Sequence, residues 1–270
     1  MKHIILLIIA FFPAGYVSSA PMSVAPNVRQ QDASELVTIG INYLDEGKHD
    51  QAIESFTQAI SLNPRFAQAY TYRGIAFISK GKLAQAMPDF TEAIRLDSNN
   101  SVAYHFRGIL YAEKQDYERA LVDFNEAIRL NPQYADAYVS RGRIYTDKEN
   151  YDRALADFNK ALRLNPQSML GYYHRGLIYY YVKDYNHAIA DFTEVIRLEP
   201  TYANAYNNRG SSYFYQQDYD RAIADFTRAI QLSPRDPRAY KNRGDAYAKK
   251  GKRDLAQADW VKARQFEANK

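Results

Sequence analysis

Glycine recurs every 34 residues along most of this chain, at Gly40, Gly74, Gly108, Gly142, Gly176, Gly210 and Gly244. No insertion or deletion breaks the register, so seven copies of one unit fill residues 33–270. A fixed period of this size predicts a stacked solenoid, in which each unit buries its apolar face only against its neighbours. The units are residues 33–66, 67–100, 101–134, 135–168, 169–202, 203–236 and 237–270.

Each unit reads as two amphipathic helices, and the fold class is therefore all-α. In the sixth unit, apolar residues fall at helical spacing over 203–216 and again over 219–232. Asp218 stands where the second helix needs an N-cap, and Pro234 follows its end. Glycine inside a helix costs about 1 kcal/mol of helix propensity. Seven repetitions of that cost predict a gain from close approach of the two helices. Ala52, Ala86, Ala120, Ala154, Ala188, Ala222 and Ala256 are the matching small residues on the second helix. Four residues later come Phe56, Phe90, Phe124, Phe158, Phe192 and Phe226, with Trp260 in the last unit. Tyr70, Tyr104, Tyr138, Tyr172, Tyr206 and Tyr240 stand near the start of the first helix.

This run of aromatic, Gly, aromatic, Ala, Phe, Ala and Pro resembles the tetratricopeptide repeat, over about nine tenths of the chain. The resemblance implies a right-handed superhelix of antiparallel helix pairs, close to one full turn for seven units. It also implies that the first helices line the concave side, and that the protein binds segments of other proteins or holds complexes together.

Comparison among the repeats adds a pairing rule. Arg precedes the glycine in six units, as Arg73, Arg107, Arg141, Arg175, Arg209 and Arg243. Asp precedes Phe or Trp in the same six, as Asp89, Asp123, Asp157, Asp191, Asp225 and Asp259. The first unit lacks both and carries Ile39 and Ser55. Joint loss predicts a pair within each repeat, since pairing with the next repeat would strand Arg73 and Asp259. Buried charges need partners, which favours a structural ladder over a row of catalytic carboxylates.

The ends of the array differ from its middle. The stripe Tyr219, Ile223, Ile230 becomes Arg253, Gln257, Arg264 in the last unit, and the first unit carries Glu35 and Asn42. Terminal repeats need polar outer faces, so residues 33–270 are expected to be a complete array. Two local departures stand out. Pro88 lies inside a second helix, where a kink is expected. Residues 97–100, Asp-Ser-Asn-Asn, replace the Asn-Pro ending of other units and predict a looser joint.

The N-terminus is a different kind of sequence. Lys2, an unbroken apolar run of nine residues from Ile4 to Phe12, and small residues from Val17 to Ala20 have the layout of a secretory signal. The run is well short of the ~20 residues a spanning helix needs. Residues 1–20 are read as a signal peptide cleaved after Ser19 or Ala20, and residues 21–32 as a flexible tether. An uncleaved anchor is the alternative. The mature chain is expected to be extracytoplasmic, periplasmic or secreted, monomeric, and without an integral membrane segment. It has no cysteine, and a long repeat core needs no disulfides. The full chain's net charge of +4, or about +3 once Lys2 leaves with the signal, is too small and too evenly mixed to argue for nucleic acid.

Catalytic signatures do not emerge. The histidines, His3, His49, His105, His174 and His187, occupy different repeat positions and make no ligand pair at metal spacing. There is no phosphate-binding Gly-rich loop, no Gly-x-Ser-x-Gly elbow and no cysteine nucleophile. No enzyme, cofactor or metal is expected. Cytosolic proteins of the resembled family grip chaperone C-termini with a Lys/Asn/Arg clamp. The matching positions here hold Val37, Ile41, Tyr72, Val102 and Phe106, so that activity is not carried over.

The expectation is an exported protein-interaction scaffold that takes a protein or peptide ligand in its concave groove. The alternative is a cell-envelope glycan held by a Tyr-rich surface. On the family's geometry the groove is plain and apolar in units two and three (Ile75, Ile78, His105, Ile109) and charged in unit four (Asp136, Arg143, Asp147). Units five and six carry Tyr173, His174, Leu177, Tyr180 and Tyr181, then Asn204, Asn207, Asn208, Ser211 and Phe214. Aromatic rings give contact area at low entropy cost, and Asn can pair with a peptide backbone. The ligand is therefore placed across units five and six, with Tyr173, Tyr180, Asn207 and Asn208 central.

Overall fold

The computed structural model describes residues 28–268. The expected signal peptide, and the tether as far as residue 27, lie outside the described residues. Those described form fourteen helices and no strand. Their hairpins are α1 (Val28–Asp45) with α2 (His49–Leu62), α3 (Ala67–Ser79) with α4 (Leu83–Leu96), and α5 (Ser101–Glu113) with α6 (Tyr117–Leu130). Then come α7 (Ala135–Asp147) and α8 (Tyr151–Leu164), α9 (Met169–Tyr181) and α10 (Tyr185–Leu198), α11 (Ala203–Tyr215) and α12 (Tyr219–Leu232), and α13 (Pro237–Lys249) and α14 (Arg253–Ala268). The first helix starts five residues before the repeat frame does, so residues 28–32 of the expected tether are helical.

The chain divides into two compact units, Met1–Ala137 and Tyr138–Lys270. In the first, α1 to α6 pack in sequence, and the first helices α1, α3 and α5 also touch one another. In the second, α8 to α14 pack in sequence, and α9, α11 and α13 form the corresponding row of first helices.

Why these residues fold this way is visible at each joint. Asp116, Asn150, Asp184 and Asp218 cap α6, α8, α10 and α12, each accepting a hydrogen bond from the backbone N–H three residues on. The turn before each second helix holds one residue in the left-handed region, at positions 47, 81, 115, 149, 183, 217 and 251. Only three of these are glycine. The others are Gln115, Glu149, Lys183 and Gln217. This recurrence is a second 34-residue signal, absent from the sequence reading because residue type hides it. The joint at residues 97–100 is not looser than the rest by its bonding. Asn100 caps α5 through Ala103 N, and its amide donates to Thr71 Oγ1 at 2.9 Å. The fourth helix runs unbroken through Pro88.

The repeating glycines make room for a ring. A Cβ on any of the seven would stand between 2.5 and 3.0 Å from the nearest ring atom of the Phe or Trp sixteen residues on. The closest partner is thus the aromatic side chain rather than the matched Ala, although the carbonyl oxygens of Ala222 and Ala256 lie 3.2 Å from such a Cβ at Gly210 and Gly244. Phe56, Phe90, Phe124, Phe158, Phe192 and Phe226 are fully buried. Neighbouring repeats continue the stack, as Phe90 lies parallel to Phe106 at 5.6 Å and Phe56 to Tyr72 at 5.9 Å.

All six Arg–Asp pairs form inside their repeats, each with both carboxylate oxygens engaged. Each guanidinium also lies over the Tyr three residues before it, as Arg209 lies 5.7 Å from the Tyr206 ring.

Candidate functional site

The first helices place the expected ligand residues, and position within the repeat decides what each does. In units two, three and five, the side chain three residues before the repeat glycine meets the last residue of its own unit. Thr71 accepts from Asn100, His105 Nδ1 is 2.8 Å from Tyr134 Oη, and Tyr173 meets Tyr202 ring to ring at 5.2 Å. Two residues before the glycine, the side chain meets the preceding repeat. Tyr72 and Phe106 stack there, and His174 stacks on Phe158 at 5.9 Å. Tyr173 and His174 therefore hold the array together. Burial pushes the Tyr173 hydroxyl well up. Removal from water, reinforced by the Arg143 charge, pushes His174 down to about 3.

The asparagines are bonded to neighbouring first helices. Asn208 Nδ2 donates to Tyr173 Oη at 3.2 Å, and Asn207 Oδ1 accepts from Asn242 Nδ2 at 3.1 Å. Asn204 Oδ1 accepts from Arg238 Nη2 at 2.9 Å. Asn207 is 6 % exposed. Each of these asparagines thus spends part of its hydrogen-bonding capacity on bonds along the row α9, α11, α13. Leu177 is half-buried on α9. The groove positions expected in units two and three are core: Ile75, Ile78, His105 and Ile109 are all buried, His105 against Phe124 and Tyr134 of its own unit.

Three of the expected residues do come together at an opening. Tyr180, Ser211 and Phe214 line a pocket of about 90 Å³ with Tyr215, Asn242 and Asp245. Around its mouth the rings are packed on one another. Tyr180 lies 5.8 Å from Tyr215, which stacks on Tyr185 at 5.3 Å and 8°. Tyr181 and Tyr215 are 57 % and 55 % exposed, and Val182 beside them is exposed too. Burial and the neighbouring Tyr215 push the Tyr180 hydroxyl up. The sequence reading named Tyr180 and Tyr181 but missed Tyr215, Asn242 and Asp245. The last two belong to the seventh unit, and extending the same repeat positions by 34 residues would have found them.

Among the described residues no group of three or more His, Cys, Asp or Glu could hold a metal ion. No helix among them is long and apolar enough to cross a membrane.

Comparison with known proteins agrees with this geometry. Family models described as tetratricopeptide repeat match residues 37–101, 107–168 and 170–202, and one described as TPR repeat matches 210–251. No curated protein matches the chain. Among solved structures, a tetratricopeptide repeat protein from Parabacteroides merdae is 26% identical, with a TM-score of 0.61. That match covers 87% of this chain and 93% of that one. YrrB, described as a TPR protein with an unusual peptide-binding site, is also 26% identical, at a TM-score of 0.55. It covers 69% of this chain and 96% of its own. PilF of Pseudomonas aeruginosa, at 20% identity and a TM-score of 0.70, shares the fold over 77% of this chain and 95% of its own.

Proposed function

The chain belongs to the tetratricopeptide repeat family, and from that premise we propose that it is a non-catalytic protein-interaction scaffold. Proteins built of this repeat generally hold other chains rather than transform small molecules. The bound element is a peptide or an extended segment of a partner, laid across the ends of α9, α11 and α13. One observation carries this reading: Tyr181 and Tyr215 stand exposed beside a pocket lined by Tyr180 and Phe214. Rings already packed on one another lose little freedom when a partner lands on them, and aromatic residues are frequent anchors of interfaces. The peptide-binding site named for YrrB supports the same class of ligand.

Export belongs to this reading and rests on Lys2, the apolar run from Ile4 to Phe12 and the small residues up to Ala20. N-terminal sequencing of the mature protein is expected to begin at Ala20 or Pro21. Intact Met1 in a soluble cytoplasmic fraction would refute it.

A photo-crosslinking amino acid tests the binding surface. Placed at Tyr181, it is expected to trap a protein partner in cells. Placed at the exposed Arg163 on α8, it should trap none. Trapping at both positions, or only at Arg163, overturns the placement. Competition by purified wall polymers but by no protein would instead favour a glycan ligand.

A further inference from the structure

The pocket beside the exposed tyrosines has a defined chemistry. Both N–H groups of the Asn242 amide turn inward, to Asn207 Oδ1 at 3.1 Å and to Ser211 Oγ at 3.5 Å. The Ser211 hydroxyl in turn donates to the Asn207 carbonyl at 2.9 Å. The amide and serine donors of the lining are thus engaged within the protein. Besides the Tyr180 and Tyr215 hydroxyls, which can donate or accept, what remains is acceptors. Asn242 keeps its carbonyl oxygen, and Asp245 keeps one carboxylate oxygen, since Oδ1 alone accepts from Trp260 Nε1, at 2.9 Å. The apolar walls are the rings of Tyr180, Phe214 and Tyr215, whose faces are electron-rich. No cationic side chain lines the pocket. Lys241 and Lys249, one turn to either side of Asp245 on α13, are exposed.

We propose that this pocket receives a Lys or Arg side chain of the partner peptide. The assignment rests on the peptide-binding reading above and deepens it. An ammonium or guanidinium carries donors and no acceptor, so it complements the free oxygens of Asn242 and Asp245, and the tyrosine hydroxyls can turn a lone pair towards it. Its charge is met by Asp245 and by the ring faces of Tyr180 and Tyr215. A carboxylate or phosphate would face Asp245 unpaired and is excluded. At about 90 Å³ the cavity suits the head of one side chain and is far below the several hundred Å³ of a small-molecule site.

The test uses a displayed library of random peptides, panned against the chain after signal removal. Enriched peptides are expected to share a Lys or Arg. For one synthetic representative, replacing that residue by Met should weaken binding about tenfold or more. The Asp245→Asn variant keeps an oxygen to accept from Trp260, removes the charge and puts an amide donor where the second oxygen stood. It should weaken the parent peptide comparably and show no further loss with the Met peptide. The Tyr215→Ala variant, at an exposed ring, should weaken the parent peptide as well. N-acetyl-lysine amide alone, as a free cation, should bind at least a hundredfold more weakly than the peptide. Equal binding by that amide overturns the peptide source. Enrichment of peptides without basic residues, or independent effects of Asp245→Asn and the Met replacement, overturns the cation assignment and leaves peptide binding intact. No enrichment at all overturns both.

Discussion

Arg175 donates Nε and Nη2 to the two carboxylate oxygens of Asp191, at 2.8 and 2.6 Å, and donates Nη1 to Asn159 of the preceding repeat at 2.7 Å. The pair therefore closes its own hairpin and ties that hairpin to the one before. Arg209 and Arg243 repeat the arrangement, with Thr193 and Thr227 as the outer acceptors. A fork with fixed geometry can serve two partners at once, where a lysine ammonium would offer a point charge.

Removing Asp191 should leave Arg175 half-buried with its main partner gone. Asp191→Ala is expected to destabilise by about 3–5 kcal/mol, and replacing both residues by apolar ones by much less. A double-mutant cycle in urea, followed on Arg175 and Asp191, checks this through their coupling energy. Additive losses would contradict the pairing.

Gly210 is packed against both ring and backbone. A Cβ there would lie 2.8 Å from Phe226 Cε1 and 3.2 Å from the Ala222 carbonyl oxygen. Overpacking of this kind costs about 1–3 kcal/mol, against roughly 1 kcal/mol gained in helix propensity. Gly210→Ala is expected to lower the thermal midpoint, and Gly210→Ala with Phe226→Leu to recover part of the loss.

The left-handed turn residues predict the opposite sign. Gln217 holds φ at 64°, where Gly251 holds 75° at the equivalent position. Only glycine adopts this region without penalty. Gln217→Gly is expected to stabilise by about 0.5–1 kcal/mol in denaturant unfolding, and Gly251→Gln to destabilise by a similar amount.

How much was legible follows from which relationships are periodic. The hairpins, the Asp218 cap and the Arg–Asp register could be read because every repeat states them again, and because the first unit loses Arg and Asp together. The ligand surface is not periodic. Asn207 and Tyr173 look like exposed polar and aromatic residues on an amphipathic helix. The pattern of one helix cannot show that α9, α11 and α13 touch along that edge and bond through those side chains. Tyr215 was passed over for a related reason: it ends its helix, where helical phase no longer tells inward from outward.

The buried histidine of the third repeat makes stability depend on pH. His105 is 1 % exposed, and removal from water holds its folded pKa down, at about 3 against the ordinary 6.5. The unfolded chain then binds a proton that the folded chain refuses. Stability is fully present above pH 6.5 and falls as the pH drops toward 3, by up to about 1.4 kcal/mol per unit. Between pH 6.5 and 5 the wild type should lose about 1–2 kcal/mol more than His105→Gln, read from urea midpoints. His174, pushed down to about 3 as well, keeps a residual slope in that variant.

The partner trapped at Tyr181 permits the most direct measurement, a calorimetric titration of that partner into wild type and into Tyr181→Ala combined with Tyr215→Ala. Both rings are more than half exposed, so the variant should keep the wild-type helix content, with only a small drop in thermal midpoint from the lost stacking of Tyr215 on Tyr185. Affinity at least tenfold weaker in this folded variant is the predicted result. Unchanged affinity, or an equal loss from Arg163→Ala on the second-helix side, would contradict the placement of the binding surface.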